Sequence, residues 1–587
     1  MSGRDLGRTL ANGMLAASYI AGLLLVWIGL EMYIIDGRSL EPSLLSVATG
    51  VALWAFTVDI GRRLSGRDAS AAPVANAAAA LPSASRTTRG AGLLPLAALA
   101  VLLPGFVAHT AVAAMDGAAL PHSTIERIAH ALGAWLRGIG AEWLEAAIDE
   151  AAHLTAFDRF AEGLGEYALL FPVGMSVIWL TFATLFVLLR EGRLPWDPTI
   201  ERSIAVVVPA RNEASGIAAT IESLLAQDHG AMTIHVVSDA STDATAAIAR
   251  QYAHRGVIVH ELHERHGKAG ALQVALDATA SELFMVVDAD TVCERGAIRA
   301  MTQQFGNPRV AGVTGNPRVA DANGLLTRMQ AMEYLGIIGL IKRADSFWGG
   351  LFTVSGAAAC FRTDALRAVG GWSTASVTED IELSWRLQKA GYELAYEPRA
   401  LFAIQAPEKL MALHRQRRRW AQGMWETLRL HGNLASTRNA ALIPLAAQAI
   451  ASMLWMIVTL GAACLWLAHL IGGPDMHGHF DPATAVRLLA CTTALFVTQT
   501  ALACLWESDS MRAAGQRGGW RLVPFALLFP AYYWTIIAPS FVAGIATALR
   551  TTGRSAMWER TDRATGRANG HANGHAPCST ASAAADR

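Results

Sequence analysis

Four short clusters in the middle of the 587-residue chain have the residue types and spacing that phosphate chemistry needs. In Asp288-Ala289-Asp290 two carboxylates flank one residue, so on an extended segment both point to the same side. Such a pair suits a divalent cation that wants hard oxygen ligands and keeps positions for substrate phosphates; a capped turn uses the same residues. His266-Gly267-Lys268-Ala269-Gly270 places a lysine at the mouth of a helix, where a cation and free amides can hold a diphosphate. Thr378-Glu379-Asp380 opens a further helix, and its plainer reading is an N-cap followed by two acids that the helix dipole favours. Gln416-Arg417-Arg418-Arg419-Trp420 reads equally as a basic face beneath a membrane surface. It is the ordered set, and not any one member, that points to a reaction.

The surrounding elements would bring these clusters together. Ser203–Pro209 is a β-branched run ended by proline, the mark of a strand buried on both faces. Helical spacing follows over Glu213–Gln227, then a strand over Met232–Val237, a helix over Thr242–Arg250 and a strand over Val257–His260. A helix over Gly270–Ala278 and a strand over Leu283–Val287 lead straight into the paired aspartates. This alternation predicts a mostly parallel sheet with helices on both faces, which binds ligands at the carboxyl ends of its strands. Pro209 to Glu213 follows the first strand, Ser238 to Asp243 the second, and Asp288 to Asp290 the fourth.

From Ile204 to about Thr427 the chain resembles the family 2, GT-A-fold glycosyltransferases. The resemblance is to the membrane-embedded processive branch of cellulose, chitin, hyaluronan and poly-N-acetylglucosamine synthases. It rests on Asp239 in the turn after the second strand, the Asp-x-Asp, Ser355-Gly356 with Phe361-Arg362, Gly370-Gly371-Trp372 before Thr378-Glu379-Asp380, and the Gln-x-x-Arg-Trp. Ser238 and Ala240 replace the acid and glycine common around the aspartate, and Gln273 stands where asparagine is frequent, departures that bear on nucleotide subtype.

The resemblance implies an inverting transfer of a sugar from a UDP-sugar to a glycan acceptor. It implies Pro209, Glu213, Asp239, Lys268 and Asp288 as donor-binding residues, with Asp239 and Glu213 toward the base and ribose. Asp290 would hold Mg²⁺ or Mn²⁺. Arg419 and Lys268 would neutralise the departing diphosphate, and Asp380 beside Glu379 would be the general base. Gln416 and Trp420 would bind the acceptor. The wording TEDIELSWRLQKAGY and RQRRRWAQG looks most like poly-β-1,6-N-acetylglucosamine synthases, with cellulose-type and hyaluronan-type enzymes close behind. Accessory export or deacetylase subunits are further partners that the resemblance implies. Two other readings stand beside it: single-sugar transfer to a lipid carrier, which usually does without the Gln-x-x-Arg-Trp, and a membrane scaffold with a degenerate transferase domain, disfavoured because every chemical position is filled.

Composition supplies the setting. The chain is 53% hydrophobic and only 16% charged, with 48 basic residues against 48 acidic ones, which excludes a nucleic-acid-coating or disordered chain and points to partial solution in lipid. Six cysteines without CxxC spacing support neither a disulfide frame nor a zinc site. Met14–Ile35, Gly92–Ala114, Tyr167–Leu189, Ala441–Ile471, Leu488–Trp506 and Leu522–Leu549 are long and apolar enough to span a bilayer, and Leu44–Ile60 is a shorter seventh. The first run is too long for a cleavable signal. Three prolines interrupt the last, which predicts a broken or re-entrant segment.

Arginine bias then predicts topology. It places the N-terminus and Gly61–Ala91 inside, and Met115–Glu166, with nine acids, outside as short amphipathic helices. The expected organisation is a transmembrane hairpin over 1–60, a linker over 61–91, and two spans with an extracytoplasmic segment over 92–193. A cytoplasmic α/β GT-A domain with an interfacial helix follows over 194–440, then a membrane region over 441–549 and a disordered tail over 550–587. The protein is expected in the cell (inner) membrane as a multi-pass enzyme. Three spans after the domain would leave the C-terminus outside, whereas its six arginines argue for inside, and the sequence leaves that parity open.

Overall fold

The computed structural model describes residues 156–197, 199–347, 349–434, 437–472, 493, 496–504, 506–507 and 519–550. The expected spans Met14–Ile35, Leu44–Ile60 and Gly92–Ala114, the linker 61–91, most of the segment 115–166 and the tail beyond 550 lie outside the described residues, as does part of Leu488–Trp506.

Eight strands form one mixed sheet: β1 (Ile204–Ala210), β2 (Met232–Asp239), β3 (Val257–Leu262), β4 (Leu283–Val287), β5 (Thr291–Cys293), β6 (Val310–Val319), β7 (Ala358–Arg362) and β8 (Glu393–Ile404). The spatial order is β3-β2-β1-β4-β7-β6-β8-β5. The first four are parallel, as the alternation predicts, while β7 runs antiparallel to both β4 and β6, and β5 antiparallel to β8. Apolar side chains leave both faces of the central strands. Ile204, Val206 and Met285 join a cluster with Ile217 and Ile298 on one side, while Val207 and Phe284 pack with Leu272, Leu383 and Trp372 on the other. Burial on both faces explains why these strands read as unbroken apolar runs.

The helices that matter for the site are α1 (Ala156–Leu189), α2 (Ile217–Leu225), α3 (Gly267–Ala278), α4 (Leu325–Glu333), α5 (Gly339–Phe347), α6 (Glu379–Lys389), α7 (Leu410–His431), α8 (Leu442–Gly472) and α9 (Ala538–Arg550). Two boundaries differ from expectation in an informative way. Helix α3 begins at Gly267 rather than Gly270, so Lys268 lies inside its first turn. The basic motif and the predicted interfacial helix Ala421–His431 are one continuous helix, α7.

Three segments among the described residues are long and apolar enough to cross a membrane: Gly174–Arg193, Leu442–Gly461 and Arg521–Arg550. The last is irregular, as its prolines predict: a 3₁₀ stretch Gly519–Leu528, one α-turn Phe529–Tyr532, a π-turn Tyr533–Ile537, then α9. Pro539 cannot donate to the carbonyl four residues back, and the wide turn lies just before it. Helix α9 lies tight against α7. A Cβ on Gly544 would sit 2.4 Å from the Arg418 carbonyl oxygen and 2.6 Å from the Ala421 Cβ, so only glycine permits this approach.

Candidate active site

The loops at the carboxyl ends of β1 and β2 are stitched to each other. Arg211 donates to the Asp239 carbonyl at 2.6 Å, and the Asn212 side chain accepts from the Thr242 amide at 2.8 Å. Asn212 (φ 53°) and Ala240 (φ 49°) occupy the left-handed region, a conformation these tight loop ends impose. Asp239 is 2% exposed, and its carboxylate accepts from the backbone amides of His266 at 2.7 Å and Gly267 at 3.0 Å. The aspartate, placed by its sequence in the turn after the second strand, is the last residue of β2, and from there it fixes the start of α3, and through it Lys268.

Lys268 joins the two acidic motifs. Its ammonium lies 2.8 Å from Asp288 and 3.0 Å from Glu379, and donates to the Gly356 carbonyl at 3.1 Å. Burial opposes the charge, but Asp288, Glu379 and Asp380 outweigh it and raise the ammonium's pKa, so the lysine stays protonated. Asp380 accepts from the Gly356 amide at 2.9 Å and the Ile381 amide at 3.0 Å. Burial, then the neighbouring Glu379, push its pKa up to about 6 despite the pull of Lys268. These contacts also explain the Ser-Gly motif. A Cβ on Gly356 would stand 2.8 Å from the Asp380 carboxylate and 3.2 Å from the Lys268 ammonium.

The Gly-Gly-Trp segment is structural. Gly371 (φ +70°) leaves no room for a side chain against Gln273, whose carbonyl oxygen accepts from the Trp372 amide at 2.9 Å. Trp372 is buried edge-on against Phe361. Gln273, which stands where asparagine is frequent, thus sets the approach to α6.

Helix α7 closes the opposite wall. The Glu426 carboxylate accepts from the Val377 amide at 2.9 Å, and His431 contacts Glu382 at 3.0 Å, so α6 and α7 are joined at two levels. A Cβ on Gly423 would overlap the Thr378 side chain, which brings the Thr-Glu-Asp turn directly onto the helix of the basic motif.

The ends of β1, β2 and β4, Lys268, the Thr-Glu-Asp turn and α7 converge on one cavity of about 430 Å³. Pro209, Glu213, Asp239, Lys268, Asp288, Asp290, Glu379, Asp380, Gln416, Arg419 and Trp420 all line it, so the structure brings together every site residue singled out in the sequence. It adds some that sequence reasoning missed. Glu333, Lys342, Phe352, Ile537 and Phe541 line the same cavity, the last two from the third candidate span. Arg417, inside the basic motif but given no role there, lies 4.1 Å from the Trp420 ring centroid. Lys342 is 7% exposed, donates to Thr314 Oγ1 at 3.1 Å, and burial pushes its pKa down to about 7. No local pattern marks such residues: Glu333 and Lys342 come from helices between the motifs, Phe352 from a loop, and Ile537 and Phe541 from beyond the last motif.

Asp288 and Asp290 sit at the lip where β4 ends, and their hard oxygen donors fit Mg²⁺ or Mn²⁺. No group of three or more His, Cys, Asp or Glu able to hold a metal occurs among the described residues, so a cation here would draw its remaining ligands from a diphosphate or water.

Residues 201–423 match the family model described as "Glycosyltransferase like family 2". The chain is similar to the poly-beta-1,6-N-acetyl-D-glucosamine synthase of Staphylococcus epidermidis, 30% identical over 413 residues, covering 68% of this chain and 98% of that one. It is similar to the synthase of the same name from Staphylococcus aureus (strain COL), 31% identical over 417 residues, with 68% and 98% covered. Among solved structures, a mannosyltransferase from Pyrobaculum calidifontis in complex with GDP-Man and Mn2+ aligns with a TM-score of 0.43 at 20% identity, over 67% of this chain and 99% of that one.

Proposed function

This chain belongs to glycosyltransferase family 2 and carries its GT-A domain beside membrane helices; on that premise we propose that it polymerises a β-linked glycan from UDP-N-acetylglucosamine by inverting transfer and passes the product into its own membrane helices. The observation that carries this reading is the composition of this cavity. The donor-side acids and lysine, the Asp380 carboxylate, the Trp420 ring and side chains of a candidate span, Ile537 and Phe541, all face one space.

In the reaction, the ionised Asp380 takes the proton of the acceptor hydroxyl. The hydroxyl oxygen attacks the anomeric carbon, and the bond from that carbon to the diphosphate breaks with its electron pair on the leaving oxygen. Lys268, held protonated between Asp288 and Glu379, and Arg419 across the cavity stabilise that departing charge. Preorganised charge of this kind is typically the largest catalytic contribution, about 10²–10³ in rate per group. Asp288 and Asp290 would hold Mg²⁺ or Mn²⁺, which supplies Lewis-acid neutralisation of the diphosphate when bound. Pro209, Glu213 and Asp239, which line the cavity, would bind the donor, and Trp420 and Gln416, which line it too, the acceptor.

Incubating membranes that contain the full chain with a panel of UDP-sugars, then sizing the product, tests the proposal. Long chains made from UDP-N-acetylglucosamine alone are the expected result. A lipid-extractable product carrying one sugar would overturn polymerisation, and consumption of a different donor would overturn the sugar assignment.

A further inference from the structure

Trp420 does not stand alone in the cavity wall. One helical turn earlier on α7, the Arg417 guanidinium lies against the face of the indole, 4.1 Å from the ring centroid. That guanidinium is buried and lies 2.7 Å from the Glu333 carboxylate, at the end of α4. The same carboxylate oxygen accepts the Tyr532 hydroxyl at 2.9 Å. Tyr532 belongs to the third candidate span, one turn before Ile537 and two before Phe541, both of which line the cavity. Four residues from three separate segments thus form one connected line from a membrane helix to an aromatic ring.

The chemistry gives each link a purpose. A cation on one face of an indole is attracted by the ring quadrupole and covers that face, so a sugar's C–H face would have to meet the ring elsewhere. A lone arginine on a helix would swing among rotamers. This one is fixed by a charged hydrogen bond to a buried carboxylate, and the carboxylate is held in turn by a phenol. The line spans 84 residues between Glu333 and Arg417 and 199 between Glu333 and Tyr532, so no single segment could set the ring alone.

We infer that Arg417 and Glu333 are positioning residues that hold the Trp420 ring as an acceptor platform and tie its orientation, through the Tyr532 hydroxyl, to the last described membrane helix. This rests on the reading of Trp420 as the acceptor platform. It adds that the platform is set from within the membrane region, and that Arg417 acts on elongation only through Trp420.

The test uses the full-length protein in membranes and reads polymer length, polymer rate and UDP affinity for Arg417→Met, Tyr532→Phe, Trp420→Ala and the Arg417→Met/Trp420→Ala pair. Arg417→Met should lower polymer rate about tenfold, the scale of a desolvated cation–π contact, with UDP affinity near wild type. The pair should be no slower than Trp420→Ala alone, because the arginine has nothing left to orient. Full polymer rate in Arg417→Met, or a pair that falls by the product of the two single effects, would overturn the inference. If Arg417→Met does not insert, Tyr532→Phe decides, since it removes one hydroxyl: shorter product supports the line and wild-type length overturns it. Normal polymer from Trp420→Ala would instead overturn the platform reading itself, whatever Arg417→Met does.

Discussion

At the scale of single residues, the site is a problem in charge placed where little water reaches it. Lys268 touches both acidic motifs, so the lysine and Asp380 share one field. Asp380→Asn should reduce transfer at least about a hundredfold while the protein still folds and inserts, because general-base contributions are of that size and the side chain lies at a helix start. Retention of more than a tenth of wild-type turnover would remove Asp380 from the role. The same residue sets a pH limb. A carboxylate accepts a proton only when ionised, and burial beside Glu379 puts its pKa at about 6. Therefore kcat/KM should fall as pH drops through about 6, while a limb near the ordinary carboxylate value would assign the base elsewhere. Gly356→Ala is a separate probe of this geometry. Its Cβ would crowd the Asp380 carboxylate and the Lys268 ammonium together, so turnover should drop by about tenfold or more with the fold intact, measured against UDP affinity.

At the scale of elements, what the sequence made legible and what it hid divide along local and non-local structure. The donor half was readable because β1, β2 and β4 are short apolar runs, each followed at once by its chemical residues. Strands β5 to β8 were not. β6 contains Gly312, Gly315 and Pro317 and has register irregularities after Val310 and Thr314, and β8 carries Glu397, Pro398 and Arg399 in mid-strand. The apolar alternation that signals a strand is lost in both. Buried partners supply what the pattern lacks: Glu397 accepts from the Gln304 side chain and pairs with Arg399. The Gln-x-x-Arg-Trp motif was legible as chemistry, whereas the seating of α7 on α9 was not, because it depends on Gly544, which carries no motif. Gly544→Ala should push α9 away from the Arg418 carbonyl, at a cost of about 1–3 kcal/mol for overpacking. Since Arg419 and Trp420 lie on the turn of α7 that would lose this support, polymer rate should fall together with thermal stability, and a variant with unchanged stability and rate would show that this contact is not close-packed.

At the scale of the whole molecule, catalytic domain and membrane helices share buried charges, and this decides both how the enzyme can be taken apart and which way it faces. Glu507, 1% exposed, lies 2.7 Å from both Arg318 of β6 and Arg343 of α5, and Arg343 is also 2.9 Å from Glu191 at the foot of α1. Removing one member of such a group leaves an uncompensated buried charge and costs about 3–5 kcal/mol, so Glu507→Ala should be poorly folded and a fragment limited to 199–434 should aggregate. The domain is thus fixed to the ends of its helices. The span Gly174–Arg193 ends, and Leu442–Gly461 begins, on the side where the domain sits, with Arg190 stacked on Phe347 of α5 at that boundary. Short arginine-rich segments are retained in the cytoplasm, and Gly61–Ala91 carries five arginines against one aspartate, while Met115–Glu166 carries nine acids against three arginines. The sequence expectation of one crossing, Gly92–Ala114, between these two segments and another after the second would put the domain and the arginine-rich linker on the same face. In a background with the six native cysteines replaced, a single cysteine within Met115–Glu166 should react with a membrane-impermeant thiol reagent in intact cells. One in Gly61–Ala91 should react only after the membrane is opened. Labelling of the linker from outside would invert the orientation, carry the nucleotide-sugar site away from the cytoplasmic donor pool, and with it overturn the proposed direction of glycan export.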